Sequence, residues 1–173
     1  MRVDKDRARV AAQNVLTQHN IQRMPVPVEQ IIKSRNIIFD CTPLKEDLSG
    51  MVYIQDGMTI IGLNALHHPN RQRFSAAHEL AYHILHKETL HKEIHVSKGL
   101  RALRREVTSA HDVDPLEIEV NTFASELLMP REFLLKTCSE KGLDMDDDVN
   151  VERLAKKFRV SVSAMTYRLA NLI

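Results

Sequence analysis

In the stretch RQRFSAAHELAYHILH, residues 71–86, three histidines and a glutamate (His78, Glu79, His83 and His86) sit among apolar residues. An imidazole nitrogen binds divalent metals, and a carboxylate beside a metal can take a proton from water, so these residue types suit a metal or acid–base centre. An α-helix advances about 100° per residue. With His78 as origin, Phe74, Ala77, Ala81, Ile84 and Leu85 fall on one side and Ser75, Glu79, Tyr82, His83 and His86 on the other. The first side is expected to join the core and the second to carry the polar chemistry. A histidine hydrogen-bonded within the core is the structural alternative.

The elements that must hold this helix can be read around it. Residues 4–19 space Ala8, Ala11, Ala12, Val15 and Leu16 as in an amphipathic helix. Pro25 and Pro27 bar helix until about Val28, after which a short helix leads into the apolar strand NIIFDC. LSGMVYIQ and MTIIGLN are rich in β-formers, and Asp56-Gly57 between them tolerates positive φ, so a hairpin in a small antiparallel sheet is expected. Pro69 and Asn70 signal the start of the histidine-bearing helix. From Lys87 to Val113 the chain is polar, with basic residues at Lys98, Arg101, Arg104 and Arg105 and no decisive periodicity. Asp114-Pro115-Leu116-Glu117 then predicts a capped helix start, with Glu117 placed to complete a capping box. That helix carries EIEVNTFASELLM; PREFLLKTCSEK, closed by Gly142, predicts another. The acidic run DMDDD reads as a solvated connector, and the C-terminal VERLAKKFRVSVSAMTYRLANL as helix, turn, helix.

Composition narrows the function classes. At 173 residues the chain is expected to be one domain, residues 1–173, with a helical subregion at about 150–173. Cys41 and Cys138 are too few for a disulfide framework and fit a reducing cytoplasm. No run approaches the roughly 20 apolar residues of a membrane span. With 24 basic and 23 acidic side chains the net charge is +1, which provides no general field for nucleic acid.

HPNRQRFSAAHELAYHILH resembles the motif of the ImmA/IrrE zinc metallopeptidases. PVPVEQI, LSGMVYIQDG, IIGLNA, VNTFASELLMP and LAKKFRVSVSAMTYRLANL are similar to the same family in order and spacing, over nearly the whole chain. The resemblance implies an α+β, compact gluzincin-like metallopeptidase domain, with a small antiparallel sheet on a mostly helical body. It also implies a zinc-dependent endopeptidase that cleaves a helix-turn-helix repressor in phage, mobile-element or stress regulation. Carried over by position, His78 is the first zinc ligand, Glu79 the general base and Glu119 the third ligand.

One position departs from that pattern. Four residues after His78 stands Tyr82, and the histidine comes one place later as His83. Residues four apart lie about 40° apart on the helix and can share a metal; residues five apart lie about 140° apart. Four outcomes follow: a π-bulge that turns His83 onto the ligand face, Tyr82 as a weak ligand or beside an open position, a remote histidine (His86, His91 or His95) completing the set with His78 and Glu119, or a site without metal. The last would leave a catalytically impaired protein-binding regulator. In an intact site Glu79 would move the proton, Tyr82 or a nearby histidine would steady the oxyanion, and Asn121 and Glu126 are candidates to support the ligands. Lys156, Lys157, Arg159 and Arg168 raise a DNA-reading alternative for the C-terminal pair. Its apolar positions Val151, Leu154, Ala155, Phe158, Val160, Met165, Leu169 and Leu172 instead make it a packing element, so DNA is not an expected partner.

Overall fold

The structure, a computed structural model, describes residues 3–97, 114–142 and 147–172. The first helix, α1 (Lys5–Gln18), starts where the Asp4 side chain accepts the Arg7 N–H. It buries Ala8, Ala12, Val15 and Leu16. α2 (Val28–Ser34) follows the two prolines and buries Val28, Ile31 and Ile32. The chain then forms β1 (Ile38–Thr42), β2 (Gly50–Gln55) and β3 (Met58–Asn64). Asp56 (φ 52) and Gly57 (φ 77) supply the two left-handed residues of the β2–β3 turn.

The sheet is mixed rather than purely antiparallel. Strand order is β1-β3-β2-β4, where β4 is His95–Ser97; β3 runs parallel to β1 and antiparallel to β2, and β2 runs antiparallel to β4. The connection between β1 and β2 lets the hairpin return with β3 in the middle. The buried Asn64 side chain fixes that connection, donating to the carbonyls of Lys45 (3.1 Å) and Leu48 (2.8 Å) and accepting from the Leu44 and Leu66 N–H groups.

Against the sheet lies α3 (Pro69–Leu85), followed by the short α4 (Lys87–Leu90). α5 (Pro115–Leu128) packs between α1 and α3. The facing positions include Ala8, Ala12, Ala77, Ala81 and Ala124, all fully buried, and side chains this small let the helix backbones approach closely. α3 is not amphipathic: every residue from Ser75 to Tyr82 is buried, so its polar face meets the sheet and α5 instead of solvent.

α6 (Arg131–Lys141) ends at left-handed Gly142, and α7 (Asp148–Phe158) and α8 (Val162–Ala170) form the C-terminal pair. The eight apolar residues expected to pack this pair are all buried. Arg168, one of the four basic residues of the DNA-reading alternative, is buried, with its guanidinium on the Glu126 carboxylate and the Met129 carbonyl. The basic residues 98–105 and most of the acidic run lie outside the described residues.

Candidate metal centre

Three elements bring side chains to one point. α3 contributes His78, the first turn of α5 contributes Glu117, and β4 contributes His95; one ligand atom from each lies within 4.8 Å of the others. The His78 Nε2 is 3.6 Å and the His95 Nε2 3.8 Å from the Glu117 carboxylate. Ligands on a tetrahedral zinc lie roughly 3.4 Å apart, given bonds of about 2.0–2.1 Å, so the three groups stand wider than a bound ion requires and would draw together to seat one.

The protonation pattern fits that use. His78 Nδ1 lies 3.0 Å from the Asn121 carbonyl oxygen, which only accepts, so Nδ1 carries the hydrogen and Nε2 presents its lone pair. His78 Nε2 and His95 Nε2 are both buried without a hydrogen-bond partner among the described residues. Burial holds both imidazoles neutral, lowering the pKa of His78 and bringing that of His95 down to about 3. A buried lone pair with no donor is costly unless something electrophilic meets it.

Tyr82 supports this group. Its hydroxyl donates to Glu117 Oε1 at 2.7 Å, and its ring stacks on His95 with centroids 3.7 Å apart and planes 24° from parallel. Burial and the neighbouring Glu117 push its phenol pKa far up, so without a metal it is the protonated hydroxyl that meets Glu117. Glu117 therefore does not form the capping box; its carboxylate turns to Tyr82 and the histidines, and Asp114 caps α5 through the Leu116 N–H.

Glu79 is fully buried one residue along from His78. Its Oε1 accepts the Ser97 hydroxyl at 2.6 Å, whereas Oε2 has no hydrogen-bond partner among the described residues and lies 3.9 Å from His95 Nε2. Burial, only partly offset by the serine, raises its pKa to about 8. The carboxylate fits here because Gly50 has no side chain: a Cβ there would stand 3.0 Å from Oε1.

The residues expected to share a metal do not all converge. α3 is a regular helix with no π-bulge, and His83 points away, its Nδ1 3.0 Å from the Thr59 hydroxyl and its pKa lowered by burial to about 4. Glu119 faces away too, its Oε1 accepting the Asp4 N–H at 2.8 Å and its Oε2 lying 3.2 Å from His86 Nε2. The reason is helical phase: residues 117 and 121 are four apart and share a face, whereas 119 is about 200° round from Asn121. Asn121 therefore supports His78, and it was the available signal for Glu117. Glu126 serves the Arg168 pair instead. Of the three remote histidines considered, His95 enters the site, His86 pairs with Glu119, and His91 is exposed. No residue pattern in the sequence indicates that β4 would bring His95 here.

Residues 38–170 match the family described as IrrE N-terminal-like domain, a peptidase family, which is most of the chain. The chain belongs to this family. Among solved structures it is similar to a Mycobacterium tuberculosis transcriptional regulator, with a TM-score of 0.61 and 14% identity over 95% of this chain. The chain covers 46% of that protein, so it spans under half of its length. No curated protein sequence matches significantly.

Proposed function

We propose that the protein is a zinc-dependent endopeptidase of the ImmA/IrrE type, with His78, His95 and Glu117 as metal ligands and Glu79 as general base. The convergence of two imidazole nitrogens without hydrogen-bond partners among the described residues and a half-buried carboxylate supports this reading. Two histidines and a glutamate are the donor set of a catalytic zinc site that keeps a position open. Zinc held there would lower the pKa of a water molecule towards neutrality and polarise a peptide carbonyl. The charge of a bound zinc would bring the raised Glu79 pKa back down, so that Oε2, without a hydrogen-bond partner among the described residues, would accept the proton of the attacking water and return it to the leaving amine. Asn121 keeps the His78 lone pair turned inwards, and Tyr82 holds the Glu117 carboxylate while its ring braces His95. The single Tyr82 hydroxyl proton is committed to Glu117, so Tyr82 acts as a support for the ligands rather than as an oxyanion donor.

The proposed substrate is a helix-turn-helix repressor, and the proposed location is the cytoplasm; no helix among the described residues is long and apolar enough to cross a membrane. DNA is not a proposed partner, because Arg168 is consumed by Glu126 inside the fold. A second reading, a non-catalytic regulator that binds the repressor, is favoured by Tyr82 standing where the family has its second histidine. The Mycobacterium tuberculosis relative is described as a transcriptional regulator.

The experiment is cleavage of a repressor encoded beside this gene, read by mass spectrometry, with zinc-loaded wild type, chelated wild type and Glu79→Gln. Cleavage by the first alone is expected. Cleavage that survives Glu79→Gln would overturn the proposal, and binding indifferent to chelator without any cleavage would establish the second reading.

A further inference from the structure

β4 delivers two groups, not one. In a strand, side chains two apart point to the same face, so the segment His95-Val96-Ser97 sends both His95 and Ser97 to the site while Val96 faces away, partly exposed. Its backbone is fixed by pairing with β2, where Gly50 is opposite Ser97, and by the Ser49 N–H donating to the Ser97 carbonyl at 2.9 Å.

We propose that Ser97 is a positioning residue for Glu79, its hydroxyl fixing which carboxylate oxygen handles the proton. The proposal rests on Glu79 acting as the base beside a metal, as set out above. Two acceptors lie near the one hydroxyl hydrogen: Glu79 Oε1 at 2.6 Å and the Gly50 carbonyl at 3.2 Å. The 2.6 Å contact lies within the usual O–H···O range and the 3.2 Å one beyond it, so the hydrogen goes to Glu79. With Oε1 held as an acceptor, a proton taken from water is directed to Oε2, which has no hydrogen-bond partner among the described residues and lies 3.9 Å from His95 Nε2. The same Ser97 bond persists when Glu79 is neutral, because Oε1 is then the carbonyl oxygen of the acid. The side chain thus keeps one orientation while the proton is taken up and given away. Without the serine hydroxyl, the only hydrogen-bond donor to this carboxylate among the described residues is gone.

The test uses cobalt-loaded protein and two small probes, so it does not depend on knowing the substrate. Acetohydroxamate must surrender a proton to a base beside the metal when it binds, whereas azide is already an anion. Visible titrations would compare wild type, Glu79→Gln, Ser97→Ala and Ser97→Thr, with folding checked by circular dichroism. Ser97→Ala is expected to bind cobalt and azide as wild type does but acetohydroxamate about tenfold more weakly, in the direction of Glu79→Gln, because it loses one hydrogen bond to a charged group. Ser97→Thr keeps the hydroxyl on a strand that accepts a β-branched residue, and is expected to restore acetohydroxamate affinity. Equal acetohydroxamate affinity in wild type and Ser97→Ala, with a loss in Glu79→Gln, would overturn the Ser97 proposal alone. Loss of cobalt or azide binding in Ser97→Ala would overturn it too, by showing a purely structural role. A wild type that binds no cobalt would overturn the metal reading itself.

Discussion

Replacing Glu79 by glutamine should change how the metal-free protein responds to pH, and the size of the change follows from the burial of one carboxyl group. Its ordinary pKa of 4.5 is raised to about 8 by desolvation in the native state. Between those values the native protein keeps a proton that the unfolded chain has lost, so the stability this group contributes at low pH declines as pH rises towards 8. The histidines act oppositely: burial lowers the pKa values of His78, His83, His86 and His95, so their contribution is present above 6.5 and is lost as pH falls. At pH 6.5 the same imidazoles are still half protonated in the unfolded chain, so they add an opposite slope that fades by about pH 8, and the difference between wild type and Glu79→Gln is what isolates Glu79. At about 1.36 kcal/mol per unit, wild type should lose about 1.6 kcal/mol relative to Glu79→Gln between pH 6.5 and 8. Denaturant unfolding of chelator-treated protein at several pH values measures this directly. Glutamine has nearly the same shape and no titration, so Glu79→Gln keeps the histidine slope and lacks this loss. A stability difference between wild type and Glu79→Gln that does not change with pH across the window would refute the reasoning.

Two further outcomes follow from the same contacts. Asn121→Ala removes the acceptor that holds the hydrogen on His78 Nδ1, and should weaken zinc affinity about 10- to 100-fold in a competition titration while leaving the helix folded. Arg168→Ala leaves the Glu126 carboxylate buried and unpaired, and should cost about 3 kcal/mol in denaturant unfolding, with no effect on DNA retention at any salt concentration.

Much of the fold was legible because its signals are local. Asp56-Gly57 needed only its own backbone freedom to predict the hairpin, and Asp114-Pro115 only its caps to start α5. The C-terminal pair followed from apolar spacing within a single segment, and all eight of those residues are buried. The parallel pairing of β1 with β3 was not legible, because it depends on which strand the returning hairpin places in the middle. At the site, His78 and Glu79 stand out within one helix, and Asn121, one of two candidates to support the ligands, lies against His78 Nδ1. Glu117 looked like a cap because its sequence neighbours are cap residues, yet Tyr82, 35 positions away, takes its carboxylate. His95 was one of several remote histidines, and only the pairing of β4 with β2 selects it.

Elemental analysis of untagged protein tests the central claim most directly, comparing wild type with His95→Ala, His83→Ala and Glu119→Gln. The account predicts about one zinc per chain in wild type, His83→Ala and Glu119→Gln, and almost none in His95→Ala. Zinc retained in His95→Ala but lost on changing His83 or Glu119 would contradict it.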